Sequence, residues 1–146
     1  MRLLLLFLNV YFTVQPQAAS HADIVRKLLF VKQQSYQQNA TKENIEAVLD
    51  FCSDSVKYDH VLSPDKKFSF DGKKLWRSGA ISHLGETRNV KIVIAKLIEK
   101  QNLVMVEYEL SREVKSGQTW EPSKSTIVSV IEFDKANKIT RMTDYL

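Results

Sequence analysis

Apolar residues in the first part of the chain recur with a helical period. From Asp23 onward they lie three or four positions apart, which predicts an amphipathic helix that runs to about Gln38. A second helix is predicted after a polar link, with Thr41 as its N-cap. Because Cys52 falls on the apolar stripe of this second helix, we expect its thiol to be buried. The two stripes consist of Ile24, Val25, Leu28, Leu29 and Val31, and of Ile45, Val48, Leu49 and Cys52.

Beyond residue 55 the pattern changes to short apolar runs and alternating positions, bounded by turn residues. Between the second and third predicted strands, Ser78 is expected to cap a short helix that passes Ile81 and Leu84 and ends at Gly85. The connections after the third, fourth and fifth strands are short enough for antiparallel hairpins. The strands are predicted over 56–62, within 68–76, and over 90–99, 103–114, 125–133 and 139–146.

Paired helices followed by consecutive hairpins predict an α+β domain with helices on one face of an antiparallel sheet. The 146 residues fit a single domain of ordinary size. Alternation along the fourth strand places Val104, Val106, Tyr108 and Leu110 on one face of the sheet. We expect long strands with one apolar face to curve around the helices, which leaves an internal pocket or a subunit interface.

The first 22 residues have the layout of a secretory signal peptide: Arg2, an apolar run over 3–14, and then small and polar residues. The apolar run is shorter than the roughly 20 residues that span a bilayer. Small residues three apart allow cleavage after Ser20 or after Ala22, and we prefer Ala22. We therefore predict a signal peptide over 1–22, a domain over 23–146 with no membrane span, and export to the periplasm or the outside of the cell.

Composition narrows the function classes. The 21 Lys and Arg residues exceed the 17 Asp and Glu residues by a net charge of +4, but the basic residues are spread along the chain, so no nucleic-acid partner is predicted. One cysteine excludes an internal disulfide framework, and the 4 glycines do not form a phosphate-binding loop. His60 and His83 lack the spacing of metal ligands, so we predict no metal and no cofactor.

In three segments, over 51–61, 75–84 and 138–145, the sequence resembles the family that includes nuclear transport factor 2, ketosteroid isomerase and the SnoaL-like polyketide cyclases. The resemblance covers nearly all of the chain after the predicted signal peptide. It implies a cone-shaped, curved antiparallel sheet wrapped around three helices from the N-terminal half. It also implies an apolar pocket at the open end of the cone and a homodimer formed through the sheet.

The resemblance also implies site residues. The carboxylate base of the isomerases falls on Asp59, and the base of the cyclases falls on Asp144. The position of the isomerase oxyanion acid falls near Ser129, and that of the first-helix tyrosine falls near Gln34, two residues before Tyr36. Because serine is a weaker oxyanion stabiliser than a protonated carboxylic acid, this departure from the family pattern argues against isomerase activity.

The orientation of the two aspartates decides between a catalytic and a structural role. If Asp144 points inward, Asp59 and Asp144 are expected to share one cavity, where repulsion and burial would raise the pKa of one carboxyl toward that of a useful base. In the alternative, Asp59 is a strand aspartate that is hydrogen-bonded near the pocket mouth or exposed to solvent, and Arg141 and Asp144 are edge-strand charges in an interface or in water.

Taken together, these patterns predict an exported SnoaL-like domain that binds a small apolar or amphiphilic molecule in its cone. One alternative is a proton-transfer isomerase or cyclase with Asp59 or Asp144 as the base. Another is a protein-interaction module that uses the outer face of the sheet. The predicted pocket residues are Tyr36, Tyr58, Tyr108, Ser129 and Met142.

Overall fold

The computed structural model describes residues 19–63 and 65–146, which form three helices and one six-stranded sheet. The helices are α1 (His21–Ser35), α2 (Lys42–Leu49) and α3 (Lys73–Ser82). The strands are β1 (Cys52–Ser63), β2 (Lys66–Asp71), β3 (Thr87–Lys100), β4 (Leu103–Ser116), β5 (Thr119–Phe133) and β6 (Ile139–Tyr145).

Helices α1 and α2 lie where the apolar period predicts them. The side chain of Ser20 caps α1 by accepting a hydrogen bond from the Asp23 amide at 3.1 Å. Thr41 is the N-cap of α2, as predicted, and its amide donates to Asn44 Oδ1 at 2.9 Å. Cys52 is buried, but it is the first residue of β1 and not part of α2. The apolar stripe thus continues past the end of the helix.

The third helix is longer than predicted and begins earlier. It starts after Gly72, whose φ of +84° produces a sharp change of direction between β2 and α3. Ser78, the predicted cap, lies inside α3, and Trp76 lies on this helix and not on a strand. The second strand, predicted within 68–76, is observed as β2 over Lys66–Asp71, so it begins before that window and ends where the helix starts.

The sheet has the order β2-β1-β6-β5-β4-β3. All neighbouring pairs are antiparallel except β1 and β6, which run parallel. The sheet is therefore mixed, whereas the sequence predicts a purely antiparallel one. Strands β3 to β5 have 14, 14 and 15 residues and curve around the helices. The predicted fold class, an α+β cone around three helices of the N-terminal half, is confirmed.

The two faces of the sheet differ in burial. Val104, Val106, Tyr108 and Leu110 all lie on the inner face of β4, as alternation predicts, and form the core with the helices. On the outer face, Ile98 of β3 pairs with Met105 of β4, and both side chains are exposed. The hydrophobic core therefore lies entirely on the concave side.

His21 and Ala22 contact the rest of the folded unit, although the preferred cleavage after Ala22 would remove them. The His21 ring stacks on Phe133 with 4.3 Å between ring centroids. Its Nδ1 lies 3.0 Å from the carbonyl of Gln101, and its Nε2 lies 3.0 Å from Asn137 Oδ1. Positions 1–18 of the predicted signal peptide lie outside the described residues. None of the helices within the described ranges is long and apolar enough to cross a membrane.

Candidate functional site

A cavity of about 450 Å³ opens between the helices and the concave face of the sheet. Its volume lies within the range of roughly 300–1,000 Å³ that is typical of small-molecule sites. Residues from all three helices and from β1 to β4 line it. The lining residues are Lys32, Ser35, Tyr36, Ile45, Val48, Leu49, Tyr58, His60, Phe68, Phe70, Trp76, Gly79, Ala80, His83, Glu86, Thr87, Arg112 and Val114.

Aromatic rings form one wall of this cavity. Alternation along β1 turns Tyr58 and His60 inward, and the β1–β2 register places Phe70 opposite Tyr58. Helix α3 contributes Trp76, whose ring stacks on Tyr58 with 4.5 Å between centroids. The Phe70 ring lies 6.1 Å from the Tyr58 ring on the same wall. A planar or apolar ligand body would gain favourable contacts here.

The floor of the cavity is a buried polar cluster centred on Asp144. Lys32 Nζ donates to Asp144 Oδ2 at 2.9 Å, and the Tyr58 hydroxyl donates to the same oxygen at 2.8 Å. The Ser129 hydroxyl donates to the other carboxylate oxygen, Oδ1. Lys32 also donates to the Tyr108 hydroxyl at 3.4 Å. Lys32 and Tyr58 line the cavity, and Asp144 lies behind them, so a ligand would meet the lysine and the tyrosine first.

Lys32 and Asp144 form a buried ion pair. Burial alone would lower the pKa of Lys32, but the negative charge of Asp144 outweighs it and holds that pKa well above its ordinary value. Burial would raise the pKa of Asp144, but the Lys32 charge and the hydrogen bonds from Ser129, Lys32 and Tyr58 lower it. Both groups are therefore charged at neutral pH. The expectation of a raised carboxyl pKa is wrong for Asp144.

The sequence prediction missed Lys32. This residue lies seven positions after Val25, four after Leu28 and three after Leu29, and all four side chains are buried on the same face of α1. A lysine on the apolar stripe of a helix is a usable sign of a buried partner, because an unpaired buried ammonium is costly. The sequence offered that sign, but its partner lies 112 residues further along the chain.

The predicted pocket residues separate into two groups. Tyr36 and Tyr58 line the cavity. Tyr108, Ser129 and Met142 are on the inner face but lie deeper, in the core or in the polar cluster beneath the floor. The structure thus brings all five to the concave side, and two of them reach the cavity.

Asp59 points away from the cavity. Its side chain lies on the outer face of β1, where it accepts hydrogen bonds from Ser69 Oγ at 2.6 Å and Arg141 at 3.0 Å, and it lies 3.1 Å from Lys67 Nζ. Burial opposes ionisation, but these donors outweigh it and lower the pKa of Asp59 to about 2. The expected cavity shared by Asp59 and Asp144 does not form, because neighbouring strands present the two carboxylates on opposite faces of the sheet.

Polar side chains that were not predicted as pocket residues also line the cavity, and two of them, His60 and Arg112, bear on its charge. Burial lowers the pKa of His60, so its imidazole is neutral at pH 7. Arg112 follows Leu110 on the inner face of β4 and is half-buried. Among the ion pairs of residues 19–63 and 65–146, none involves Arg112. The part of the chain that the structure describes contains no group of three His, Cys, Asp or Glu residues placed to hold a metal ion.

Compared by sequence, the chain matches no protein-family model and no curated protein. Solved structures match it over most of its length. A protein with a ketosteroid isomerase-like fold from Catenulispora acidiphila DSM 44928, solved with trimethylamine, has 14% identity and a TM-score of 0.62 over 82% of this chain and 85% of that chain. A protein from Shewanella putrefaciens CN-32 described as a SnoaL-like polyketide cyclase has 9% identity and a TM-score of 0.68 over 90% of this chain and 80% of that chain.

An LEH-like epoxide hydrolase of M. tuberculosis also matches, with 16% identity and a TM-score of 0.59 over 82% of this chain and 79% of that chain. At these identities the likeness concerns the fold alone. The protein therefore has the cone-shaped α+β fold of the nuclear transport factor 2-like, SnoaL-like and ketosteroid isomerase-like proteins. This fold carries several unrelated activities, so function has to be argued from the cavity of this chain.

Proposed function

We propose that this chain is a small-molecule-binding domain that holds an apolar or amphiphilic ligand in the cavity between the helices and the sheet. The observation that carries the proposal is the combination of a cavity of about 450 Å³, an aromatic wall and a polar floor. Apolar pockets with a few convergent polar groups are typical of ligand sites.

The floor can orient a ligand as well as accommodate it. An ammonium group has three N–H donors, and Lys32 directs two of them to Asp144 and Tyr108. One donor remains for a carbonyl or hydroxyl oxygen of the ligand. Because Asp144 and the helices fix the position of Lys32, this donor is held in place before the ligand arrives.

Native mass spectrometry of the purified full chain, before and after denaturation, tests the proposal. We expect a bound small molecule that is released on unfolding. Ala80→Phe places a ring in the cavity from α3 and should abolish binding, whereas Ala136→Phe adds the same ring in the exposed β5–β6 turn and should not. Unchanged ligand occupancy in a folded Ala80→Phe variant would contradict the proposal.

A second candidate function is proton transfer, as in the isomerase or cyclase alternative. The observation that favours it is His60, a neutral imidazole that lines the cavity next to the ring of Tyr58. Of the two aspartates expected as bases, Asp144 lies beneath the floor with a lowered pKa, and Asp59 faces outward. If turnover is found for any bound compound, His60→Gln should reduce kcat more than Asp59→Asn.

Export remains part of the proposal, with cleavage after Ser20. Cleavage there retains His21, whose ring contacts Phe133, and would convert its amide into an ammonium group 3.1 Å from Glu99 Oε1. The Ala22 amide donates to the other Glu99 oxygen at 3.1 Å, so this carboxylate caps the first turn of α1. Mass measurement of the mature N-terminus from the native host tests this, and an uncleaved N-terminus would contradict it.

We also propose that the outer face of the sheet forms a homodimer, and this face is the surface that a protein-interaction module would use. The supporting feature is a row of apolar side chains across adjacent strands, formed by Ile98, Met105 and Val130. Ile98 and Met105 are exposed. Sedimentation should show a dimer that Met105→Lys converts to a monomer. A monomeric wild-type chain would contradict dimerisation.

A further inference from the structure

Among the described residues that line the cavity, Arg112 is a cation that no carboxylate neutralises. The charge of Lys32 is matched by Asp144, and His60 is neutral at pH 7 because burial lowers its pKa. Arg112 also lines the cavity, and it is half-buried and forms no ion pair within the described ranges. A partly desolvated guanidinium that lacks a protein partner is suited to an oxyanion supplied by a ligand, because its planar fork binds carboxylate and sulfonate groups through two parallel hydrogen bonds.

The placement of Arg112 follows from the alternation of β4. Residues 104, 106, 108 and 110 are buried on the inner face, and position 112 continues this series toward the cavity. Val114, the next inward residue, also lines the cavity. The guanidinium therefore enters the cavity from the sheet, whereas Trp76 and Ala80 enter it from α3.

One acidic side chain, Glu86, also lines the cavity. Its carboxylate lies 2.6 Å from Nδ1 of His83, and both side chains are more than half exposed. Water therefore screens this negative charge more strongly than it screens the half-buried Arg112.

We infer that the ligand carries an anionic oxygen group, a carboxylate or a sulfonate, that Arg112 binds while the ring or apolar body of the ligand packs against Tyr58, Phe70 and Trp76. This inference rests on the proposed ligand-binding function and specifies the class of ligand. Arg112 then determines the specificity for an anionic ligand. The charges of Lys32 and Asp144 cancel, so the remaining donor of Lys32 binds an uncharged oxygen atom of the ligand.

Two fluorescent probes test this inference on the full folded chain. 1-Anilinonaphthalene-8-sulfonate and N-phenyl-1-naphthylamine share the same aromatic body, but only the first has an anionic group. We expect the sulfonate to bind wild type about 10- to 100-fold more tightly than the neutral amine, as a charge-assisted contact to a half-buried group should provide. Arg112→Gln should remove this preference by weakening binding of the sulfonate about 10- to 100-fold.

Three variants make the result specific. Lys135→Gln removes the same charge from the exposed β5–β6 turn and should retain the preference for the sulfonate. Arg112→Lys keeps the charge without the fork and should give an intermediate preference. Ala80→Phe should abolish binding of both probes, which assigns them to the cavity. Thermal unfolding measured by circular dichroism checks that each variant is folded.

The outcomes separate this inference from the proposed function. If both probes bind with equal affinity and Ala80→Phe blocks both, the cavity binds ligands and the role of Arg112 is refuted. If Lys135→Gln weakens sulfonate binding as much as Arg112→Gln does, the preference is a general charge effect and the inference is also overturned. If wild type binds neither probe, the inference and the ligand-binding function fail together.

Discussion

Asp59 and Asp144 are both buried, both ionised and both held on the β1–β6 part of the sheet, but they face opposite sides of it. Asp59 is bound by Lys67 and Arg141, whose side chains are 43% and 45% exposed. Asp144 is bound by Lys32, whose side chain is 4% exposed. On the outer face, the cations can return to water if the carboxylate is removed. On the inner face, neither Lys32 nor Asp144 can become hydrated in this way if its partner is removed. We therefore expect the two aspartates to contribute differently to stability.

The comparison also separates two meanings of a buried carboxylate. Both aspartates have lowered pKa values, so neither is the poised base that the sequence suggested. Asp59 ties the edge strand β2 to β1 and β6. Asp144 fixes the groups that a ligand would meet. An aspartate therefore links strands on the outer face and positions the groups of the candidate site on the inner face.

The largest expected effect comes from Lys32→Met, which leaves Asp144 as an unpaired buried charge. We expect the free energy of unfolding at pH 7 to fall by about 3–5 kcal/mol. Urea denaturation measures it, with Lys27→Met on the exposed face of α1 as the matched control. Adding Asp144→Asn to Lys32→Met should recover part of the loss. A loss no greater than that of the control would show that the ion pair is not formed.

Asp59→Asn is expected to have a smaller effect, a loss of about 1–3 kcal/mol at pH 7, because charge-assisted hydrogen bonds are lost but the two cations become hydrated. Asp71→Asn removes an exposed carboxylate at the end of β2 and should change stability by less than about 0.5 kcal/mol. If Asp59→Asn destabilised the protein as much as Lys32→Met, the distinction between the two faces would be lost.

The contribution of the Asp59 carboxylate should also appear in the pH dependence of the free energy of unfolding. The pKa of Asp59 is lowered from 3.8 to about 2, so its contribution is fully present above pH 4 and is lost as the pH falls through 2. The stability difference between wild type and Asp59→Asn should therefore be constant from pH 5 to 7 and shrink toward pH 2. Urea denaturation at several pH values measures it, and a difference that grows on acidification would contradict the assignment.

The smallest effects concern the two serines that donate to these carboxylates. Ser129→Ala removes a fully buried donor to Asp144 and should cost about 1–2 kcal/mol, whereas Ser69→Ala removes a donor to Asp59 beside two cations and should cost about 0.5–1 kcal/mol. Thermal unfolding of the two variants compares them directly. Equal losses of stability would mean that the serine hydroxyl contributes the same free energy on both faces of the sheet.

Much of the fold could be predicted because the local spacing of apolar residues indicates which faces of the helices and strands are buried. The stripe from Val25 to Leu29 and the alternation from Val104 to Leu110 both describe the observed core. The start of α3 was not predictable in this way, because Asp71-Gly72 is a turn signal that does not show whether a strand or a helix follows it. The parallel pairing of β1 with β6 is a contact between distant segments, and local patterns do not encode it.

The candidate site was only partly predictable for the same reason. Alternation alone shows that Tyr58 and Asp59 point to opposite faces, but it does not show which face is inside. The floor of the cavity depends on the meeting of α1 with β6. Lys32 and Arg112 were not among the predicted site residues, although each continues an apolar series, one on α1 and one on β4.

The ion pair across the cavity floor joins residues 112 positions apart, and β1 pairs with β6 at Cys52 and over residues 57–61. During synthesis, the ribosome therefore produces α1, β1 and the cation of the floor long before their partners exist. Until residue 144 emerges, Lys32 must stay hydrated, and the segment that holds it cannot bury its apolar stripe completely. Complete closure of the core therefore requires β6, the last strand of the sheet to be synthesised.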